Sequence, residues 1–403
     1  MKAFFGKKYV FLLCFLAGLF AFSGYSIYNK QEVFFSFAEE IRTVSSYDQV
    51  DALLNDMVAG LQKQEDITAD AFTELYGVSQ RILGKREYRN FSYVRGDSGM
   101  IYYGAIMENK NDMLMEYAKR TGKAARCAEE QGAETIFVMA PSKIIYDIMS
   151  DDRELPLYDT NAIQNELLLY LQQNEVKTLD LRIALAKSGM TQEELFYRTD
   201  YLWTPEAAFI AAGAIVDKIR NDFDDDWDPK NYYCDRSNYV ADTYYHATIG
   251  ATGKETGILY AGKEDYTVIY PGFETDMEWY NLEDGWKKAG DFYEAFVDFE
   301  DDGEGVYADT GSNMYLNGIV DRDRIVNEAN PDGPKVLCLR DSYMSPVACF
   351  LAPMCSQIDM VWARSNHNGI DYEQLIRDGG YDYLIIEVYP YNIYDNAFEY
   401  FKD

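Results

Sequence analysis

Residues 335–364 read KVLCLRDSYMSPVACFLAPMCSQIDMVWAR, and this stretch decides the fold. KVLCLR is a short apolar run of the kind that forms a buried strand, YMSPVACFLAPMC predicts a helix, and QIDMVWAR predicts a second strand. A strand, a helix and a strand in succession, with near-continuous apolar strands, are typical of a parallel sheet covered by helices on both faces.

The same alternation of strands and helices surrounds this stretch. It predicts two halves of one α/β domain, residues 87–223 and 335–403, with GDSG at 96–99 as a hairpin turn in the first half. Thr204-Pro205-Glu206 has the N-cap residue, the proline and the acid that begin a helix. Between the halves, residues 224–334 are rich in Tyr, Asp, Gly and Thr, and we interpret them as a β-rich insertion.

The first 30 residues predict a membrane segment. Three lysines precede an uncharged apolar run from 9 to 28, which is long enough to span a bilayer as a helix. The lysines predict a single-pass anchor with a cytoplasmic N-terminus and an extracellular bulk. The alternative is a signal peptide cleaved near residues 21–23. Residues 31–86 follow as a predicted helical stalk.

Composition argues against several classes of partner and ligand. The chain has 403 residues, 48% of them hydrophobic, so it can bury a large core. Its net charge of −31 disfavours nucleic acid and anionic membrane surfaces, because both carry phosphates. Six cysteines and two histidines show no zinc spacing, so we expect neither a metal nor another cofactor.

The strongest candidate for a catalytic nucleophile is Ser342. It follows a buried strand and precedes a helix, so its hydroxyl is expected at the carboxyl edge of the sheet, where α/β proteins bind ligands. Amides at the start of that helix would stabilise an oxyanion. The alternative is an N-cap serine that only satisfies those amides.

The chain resembles the SGNH-hydrolase-like domains of the DHHW and alginate O-acetyltransferase families between about residues 88 and 390. The resemblance implies a flavodoxin-like SGNH fold. It rests on five blocks in the family's order: GDSGMIYYG, ETIFVMAPSKIIYDIM, FYRTDYLWTPEAAFIAA, ADTGSNMYLNG and LRDSYMSPVACFLAPMCSQIDMVWAR.

The resemblance assigns roles to the residues of two blocks. Ser342 matches the family's nucleophile, and Asp200 matches the acid that orients the catalytic histidine. Leu202 stands where that histidine is expected, Tyr201 matches the other histidine of the D-H-H-W motif, and Trp203 matches its tryptophan. We expect Tyr201 in or beside the pocket. Trp203 either lines the pocket or pins the following helix, and we favour the second role.

Five further residues match family positions near the pocket. Asp341 and Tyr343 flank the serine, and Asn317 falls near a Gly-Asn run that would supply an oxyanion-hole asparagine. Arg364 matches an arginine at a strand end and would orient Asp341, bind an anionic group or form a salt bridge. Lys143 matches a lysine at the sheet edge, where a structural ion pair is the simplest role.

Leucine at 202 removes the expected base, because a serine hydroxyl needs a base to accept its proton. His367 follows a predicted strand at the same sheet edge and is the candidate to replace it, with His246 in the insertion as the second choice. An active site of this kind requires the Ser342 hydroxyl and the Asp200 carboxylate to face one cleft.

Two functions remain open from the sequence. One is an extracellular acyltransferase or esterase that acts in O-acetylation of a cell-envelope polysaccharide or exopolysaccharide, with impaired or altered catalysis. The resemblance implies a membrane-bound O-acyltransferase as its partner. The other is an inactive polysaccharide-binding or scaffold subunit of such a complex, in which Leu202 marks lost chemistry.

Overall fold

The computed structural model describes residues 67–107, 112–149, 151–297, 314–316, 320–363 and 369–402, with scattered positions before residue 67. The chain divides into two compact units, Met1–Tyr76 and Gly77–Asp403, and all the strands described below belong to the second. Most of the predicted anchor and most of the predicted stalk lie outside the described residues. Within the described part of the chain, no helix is both long enough and apolar enough to cross a membrane.

A small antiparallel sheet precedes the main domain. It has three strands in the order β1-β2-β3, and β2 and β3 form the hairpin expected around Gly96 and Gly99. The strands are β1 Glu87–Tyr88, β2 Tyr93–Arg95 and β3 Ile101–Tyr103.

The main sheet has eight strands in the order β5-β4-β13-β11-β12-β10-β8-β9. The first five are parallel, as the apolar runs predict. They are β4 Glu134–Met139, β5 Lys177–Asp180, β11 Lys335–Arg340, β12 Gln357–Trp362 and β13 Tyr383–Val388.

The other three strands come from the insertion and make the sheet mixed. They pair antiparallel, β10 with β12, β8 with β10 and β9 with β8. These strands are β8 Met277–Asn281, β9 Lys287–Gly290 and β10 Arg322–Asn327, while β6 Tyr239–Thr248 and β7 Glu264–Pro271 form a separate two-stranded sheet. The insertion therefore extends the main sheet, which the sequence alone does not predict.

Helices cover both faces of the parallel strands. Successive residues of β4 alternate between two apolar clusters, Ile136 and Val138 in one, Phe137 and Met139 in the other. The first cluster packs against α4, α6 and α10, and the second against α2, α3 and α11. The helices are α1 Ile67–Ile82, α2 Leu114–Glu129, α3 Asn161–Gln173, α4 Leu181–Lys187, α5 Gln192–Leu195, α6 Pro205–Phe223, α7 Ala251–Thr256, α8 Ile258–Ala261, α9 Phe292–Phe296, α10 Met344–Leu351 and α11 Tyr372–Asp378.

The start of α6 confirms a local prediction. Thr204 is its N-cap, the Thr204 side chain accepts a hydrogen bond from the backbone N–H of Ala207, and Pro205 occupies the first turn. This helix fixes the end of the preceding DYLW segment, residues 200–203, against the sheet.

Candidate active site

Ser342 lies at the corner between β11 and α10, at the carboxyl edge of the sheet. In the sheet, β5 lies outside β4 on one side of β13, and β12 lies outside β11 on the other side. The strand order therefore reverses at β13. Open α/β sheets bind ligands where the strand order reverses in this way. A cleft of about 560 Å³ opens there, and half-buried Ser342 lies in its lining.

The polar groups of Ser342 are available for chemistry. Neither its hydroxyl nor its backbone N–H hydrogen-bonds to another residue in the described part of the chain. A nucleophile requires an accessible hydroxyl, and an oxyanion is stabilised by N–H donors that already point into the site. At the Ser342 corner both groups are left without a partner among the described residues, in a residue that lines the cleft.

The side chain of Asp341, and not that of Ser342, accepts the backbone hydrogen bond in the turn that leads into α10. Its Oδ1 accepts a hydrogen bond from the backbone N–H of Tyr343 at 3.0 Å. The alternative role of Ser342 as an N-cap is therefore not what the structure shows. The other carboxylate oxygen of Asp341 accepts from the backbone N–H of Tyr389 at 2.7 Å and from Nδ2 of Asn392 at 2.9 Å.

A second carboxyl group, that of Glu387, lies beneath Asp341. Glu387 Oε2 accepts a hydrogen bond from the backbone N–H of Asp341 at 3.1 Å, and the side chain is 2% exposed. Burial raises the pKa of Glu387 well above its ordinary value, and the charge of Asp341 raises it further. The raised pKa favours the protonated form of Glu387 beside Asp341, which itself accepts three N–H donors.

Aromatic rings form the walls of the cleft. Tyr389 stacks on Tyr343 with ring centroids 4.2 Å apart, and Tyr391 contacts Tyr103 at 4.9 Å and Tyr158 at 5.0 Å. Six half-buried rings line the cleft: Tyr103, Tyr158, Tyr201, Trp362, Tyr391 and Tyr394. Such rings offer flat apolar faces with polar edges to a ligand.

Asp200 does not meet Ser342 in the cleft. It is 1% exposed, and its carboxylate accepts hydrogen bonds from the backbone N–H groups of Leu202 at 3.2 Å and Ala251 at 3.0 Å. Gly250 packs so closely that a Cβ there would lie 2.4 Å from the Asp200 Cβ. Asp200 is enclosed by the residues that begin α7, so the complete triad, in which both side chains face one cleft, is not formed. A reaction at Ser342 would therefore need a base that Asp200 does not orient.

Trp203 and Tyr343 lie behind the aromatic wall. Both are buried, and their rings are 4.8 Å apart. The Tyr343 hydroxyl donates to the backbone carbonyl of Tyr201, so these two residues support the wall from inside.

Lys143 connects two segments without lining the cleft. Its Nζ donates to the backbone carbonyls of Ile101 at 2.8 Å and Arg198 at 3.2 Å. Burial lowers the pKa of Lys143 to about 8, against the attraction of Glu264 and Asp200. Its contacts fix the start of the RTDYLW segment against β3.

The remaining predicted site residues are not all described. His367, Arg364 and Asn317 lie outside the described residues. His246 is described and is 77% exposed, with its Nδ1 3.5 Å from Asp265. It does not line the Ser342 cleft.

A family model agrees with the resemblance found in the sequence. Residues 94–243 match the model for the SGNH hydrolase-like domain of the acetyltransferase AlgX. This part of the chain is therefore similar to an SGNH hydrolase-like domain. The match includes the DYLW segment and ends before Ser342, and no curated protein sequence matches the chain significantly.

Solved structures share the SGNH-like fold at low identity. Bacillus cereus PatB1, solved with a sulfonyl adduct, superposes with a TM-score of 0.58 at 17% identity, over 78% of this chain and 100% of that one. A DHHW family protein from Eubacterium siraeum superposes with a TM-score of 0.54 at 16% identity, over 76% of this chain and 92% of that one. These likenesses establish the fold.

The Ser342 cleft contains residues that the sequence did not single out. Besides Ser342, Asp341 and Tyr201, it is lined by Trp362 and by the turn at 389–394, which follows β13. The rule that identifies Ser342, a position just after a buried parallel strand, also applies to this turn. Nothing in the sequence marks Glu387 as a site residue, because a single acid in YLIIEVYP is typical of an ordinary strand.

Proposed function

We propose that this protein acts in O-acetylation of a cell-envelope polysaccharide or exopolysaccharide, with Ser342 as the residue that carries the acyl group. The observation that supports this role most directly is that Ser342 lines a cleft at the switch point of the sheet, and that neither its hydroxyl nor its backbone N–H hydrogen-bonds to another described residue. Ser342 Oγ attacks the acyl carbonyl of a donor ester, the donor alcohol leaves, and a glycan hydroxyl or water then takes the acyl group from Ser342.

The proton from Ser342 requires an acceptor. His367 is the residue we propose for this role, because it follows β12 by five residues and β12 ends beside the cleft at Trp362. With a leucine at 202, we infer a rate lower than that of a complete serine triad.

The lining of the cleft supports a sugar polymer as substrate. Half-buried tyrosines and one tryptophan present flat faces, and the net charge of −31 repels polyanions. We propose a neutral glycan for this reason.

We also propose that the N-terminal segment anchors the protein in the cell membrane with the bulk outside, beside a membrane-bound O-acyltransferase that supplies the acyl group. The lysines followed by an apolar run support this placement. Protease treatment of intact cells tests it, because an extracellular domain is degraded and a cytoplasmic one is protected.

One observation favours a second function, a glycan-binding or scaffold subunit without catalysis. Asp200, the acid of the family's catalytic motif, is enclosed and bound by two backbone N–H groups, and Leu202 beside it has no proton-accepting group. This alternative keeps the cleft and dispenses with the Ser342 reaction.

A sulfonyl fluoride reagent separates the two functions. The reagent forms a stable ester with an activated serine, and intact-protein mass spectrometry measures it. We expect one adduct per chain, located on Ser342 by peptide mapping, and none in Ser342→Ala. His367→Ala is expected to slow the reaction by about 100-fold or more, as loss of a general base does.

The matched control is Ser345→Ala, since Ser345 is a buried serine three residues further along the same segment. A wild-type protein that forms no adduct on Ser342 would exclude the acyl-transfer function and leave the binding function. Retention on columns of neutral glycan then tests that alternative.

A further inference from the structure

The Asp341 carboxylate joins the Ser342 corner to the opposite wall of the cleft. We propose that Asp341 is a positioning residue: it fixes Ser342 and the turn at 389–394 relative to each other, and thereby sets the shape of the cleft. The inference rests on the proposed function for its catalytic consequence, but not for its structural one.

Each carboxylate oxygen of Asp341 has a distinct task. Oδ1 accepts the backbone N–H of Tyr343 at 3.0 Å, which closes the turn that carries Ser342 into α10. Oδ2 accepts the backbone N–H of Tyr389 at 2.7 Å and Nδ2 of Asn392 at 2.9 Å. One side chain therefore links the end of β11 to the segment that follows β13.

The linked segments form much of the cleft. Every residue from Tyr389 to Tyr394 lines it, as do Asp341 and Ser342. Hydrogen bonds that an ionised carboxylate accepts are stronger than those of neutral groups, and Asp341 is only 4% exposed, so water does not replace them readily.

Glu387 supports this role of Asp341 from below. It accepts the backbone N–H of Asp341 at 3.1 Å, and it is faced by Arg340 and Cys338 on β11 and by Asp341 just after that strand. Burial, followed by the charge of Asp341, raises the pKa of Glu387. The raised pKa disfavours a second negative charge beside Asp341, and the hydrogen bond to Glu387 holds the backbone of Asp341 from the neighbouring strand.

Asp341→Asn tests the inference, because an amide replaces one of the two accepting oxygens with a donor. Amide hydrogen exchange at Tyr343 and Tyr389 is the first measurement. We expect exchange at one or both residues to become about tenfold faster or more, beyond any change in global stability. The second measurement is sulfonylation of Ser342, expected to slow by about 100-fold because the nucleophile shifts.

Asp359→Asn is the matched control. Asp359 is a buried carboxylate on β12 that accepts hydrogen bonds from Arg324 and Tyr381, away from the cleft. It is expected to lower stability without changing local exchange at Tyr343 and Tyr389 or the rate at Ser342 relative to the folded fraction.

The two measurements distinguish the inference from the proposed function. If wild-type Ser342 does not react but Asp341→Asn speeds exchange, the positioning role stands and the acyl-transfer function fails. If Asp341→Asn keeps wild-type exchange at both amides, the positioning role is overturned, whatever Ser342 does.

Discussion

Neighbouring residues in the DYLW segment face different surroundings. Tyr201 lines the Ser342 cleft, whereas Leu202 is 5% exposed and packs in the apolar cluster beneath the sheet. A side chain that exchanges a proton with Ser342 must reach the cleft. Position 201 meets this condition in the present structure, although the sequence comparison places the missing histidine at 202.

Tyr201→His is therefore expected to increase the rate of Ser342 sulfonylation at pH 7 by about tenfold or more, because an imidazole in the cleft accepts a proton at that pH. Leu202→His is the matched variant. It buries a polar ring in the apolar cluster and is expected to lower stability by about 1–3 kcal/mol without increasing the rate. Rate measurements on both variants test this, and a faster reaction only in Leu202→His would contradict it.

Glu387 makes stability depend on pH. In the unfolded chain the carboxyl ionises near pH 4.5, whereas in the folded chain burial, then Asp341, keep its pKa well above that value. The folded state then holds one more proton, so the free energy of unfolding falls as pH rises above 4.5 until the folded pKa is reached. The slope for one proton is at most about 1.4 kcal/mol per pH unit.

Glu387→Gln removes this proton and keeps an acceptor for the Asp341 amide. We expect the stability of the variant relative to the wild type to increase as the pH rises above 4.5, until the folded pKa of Glu387 is reached. Urea unfolding at several pH values measures the difference. Parallel stability profiles for the two proteins would contradict the assignment.

The residue scale shows what a sequence pattern can and cannot reveal. Ser342 is predictable, because its position depends on a strand and a helix that adjoin it in sequence. The bond between Asp341 and Glu387 joins residues 46 positions apart. The enclosure of Asp200 depends on Gly250 and Ala251, 50 and 51 positions later, and no local pattern announces that contact.

At the scale of elements, a buried ion pair joins β10 of the insertion to β11. Arg340 and Asp323 are 2.9 Å apart with both side chains fully buried, and Trp279 of β8 donates to Asp323 at 3.0 Å. Burial raises the pKa of Asp323, while Arg340 opposes that effect. The pair adjoins the Ser342 corner, so the insertion contributes to the support of the cleft.

Arg340→Met removes the positive charge that pairs with the buried Asp323 carboxylate. We expect this variant to lower the free energy of unfolding by about 3–5 kcal/mol. The double variant Arg340→Met with Asp323→Asn removes both charges and is expected to recover much of that loss. Chemical denaturation compares the two. A double variant no more stable than the single one would show that the charge on Asp323 is not the cause.

Elements differ in how well the sequence predicts them. The helix at 205–223 and the hairpin around Gly96 have local signals, an N-cap and a turn, and both are present. The antiparallel pairing of β10 with β12 has no such signal, because strand partners are chosen by packing across long sequence separations.

At the scale of the whole molecule, the insertion is structurally part of the α/β domain. β10 covers the edge of β12, and Trp279 of β8 is fully buried in the apolar cluster that also contains Ile358. Removing residues 224–334 would expose both the edge and that apolar surface.

We therefore expect a variant in which a short Gly-Ser linker replaces residues 224–334 to aggregate or to lose cooperative unfolding. Replacement of residues 229–231, an exposed turn after α6, by a linker of equal length is the control and is expected to fold. Size-exclusion chromatography and thermal unfolding distinguish the results. A monomeric deletion variant that unfolds cooperatively would show that the insertion is separable.

The place of β13 in the sheet has a consequence for biosynthesis. β13 is the last strand of the described chain, yet it lies between β4 and β11 and bonds to both. During translation the earlier strands leave the ribosome without the strand that joins them. The domain therefore completes its sheet only after residue 388 has been made, so a ribosome-bound chain that lacks this strand cannot yet pair β4 with β11 through it.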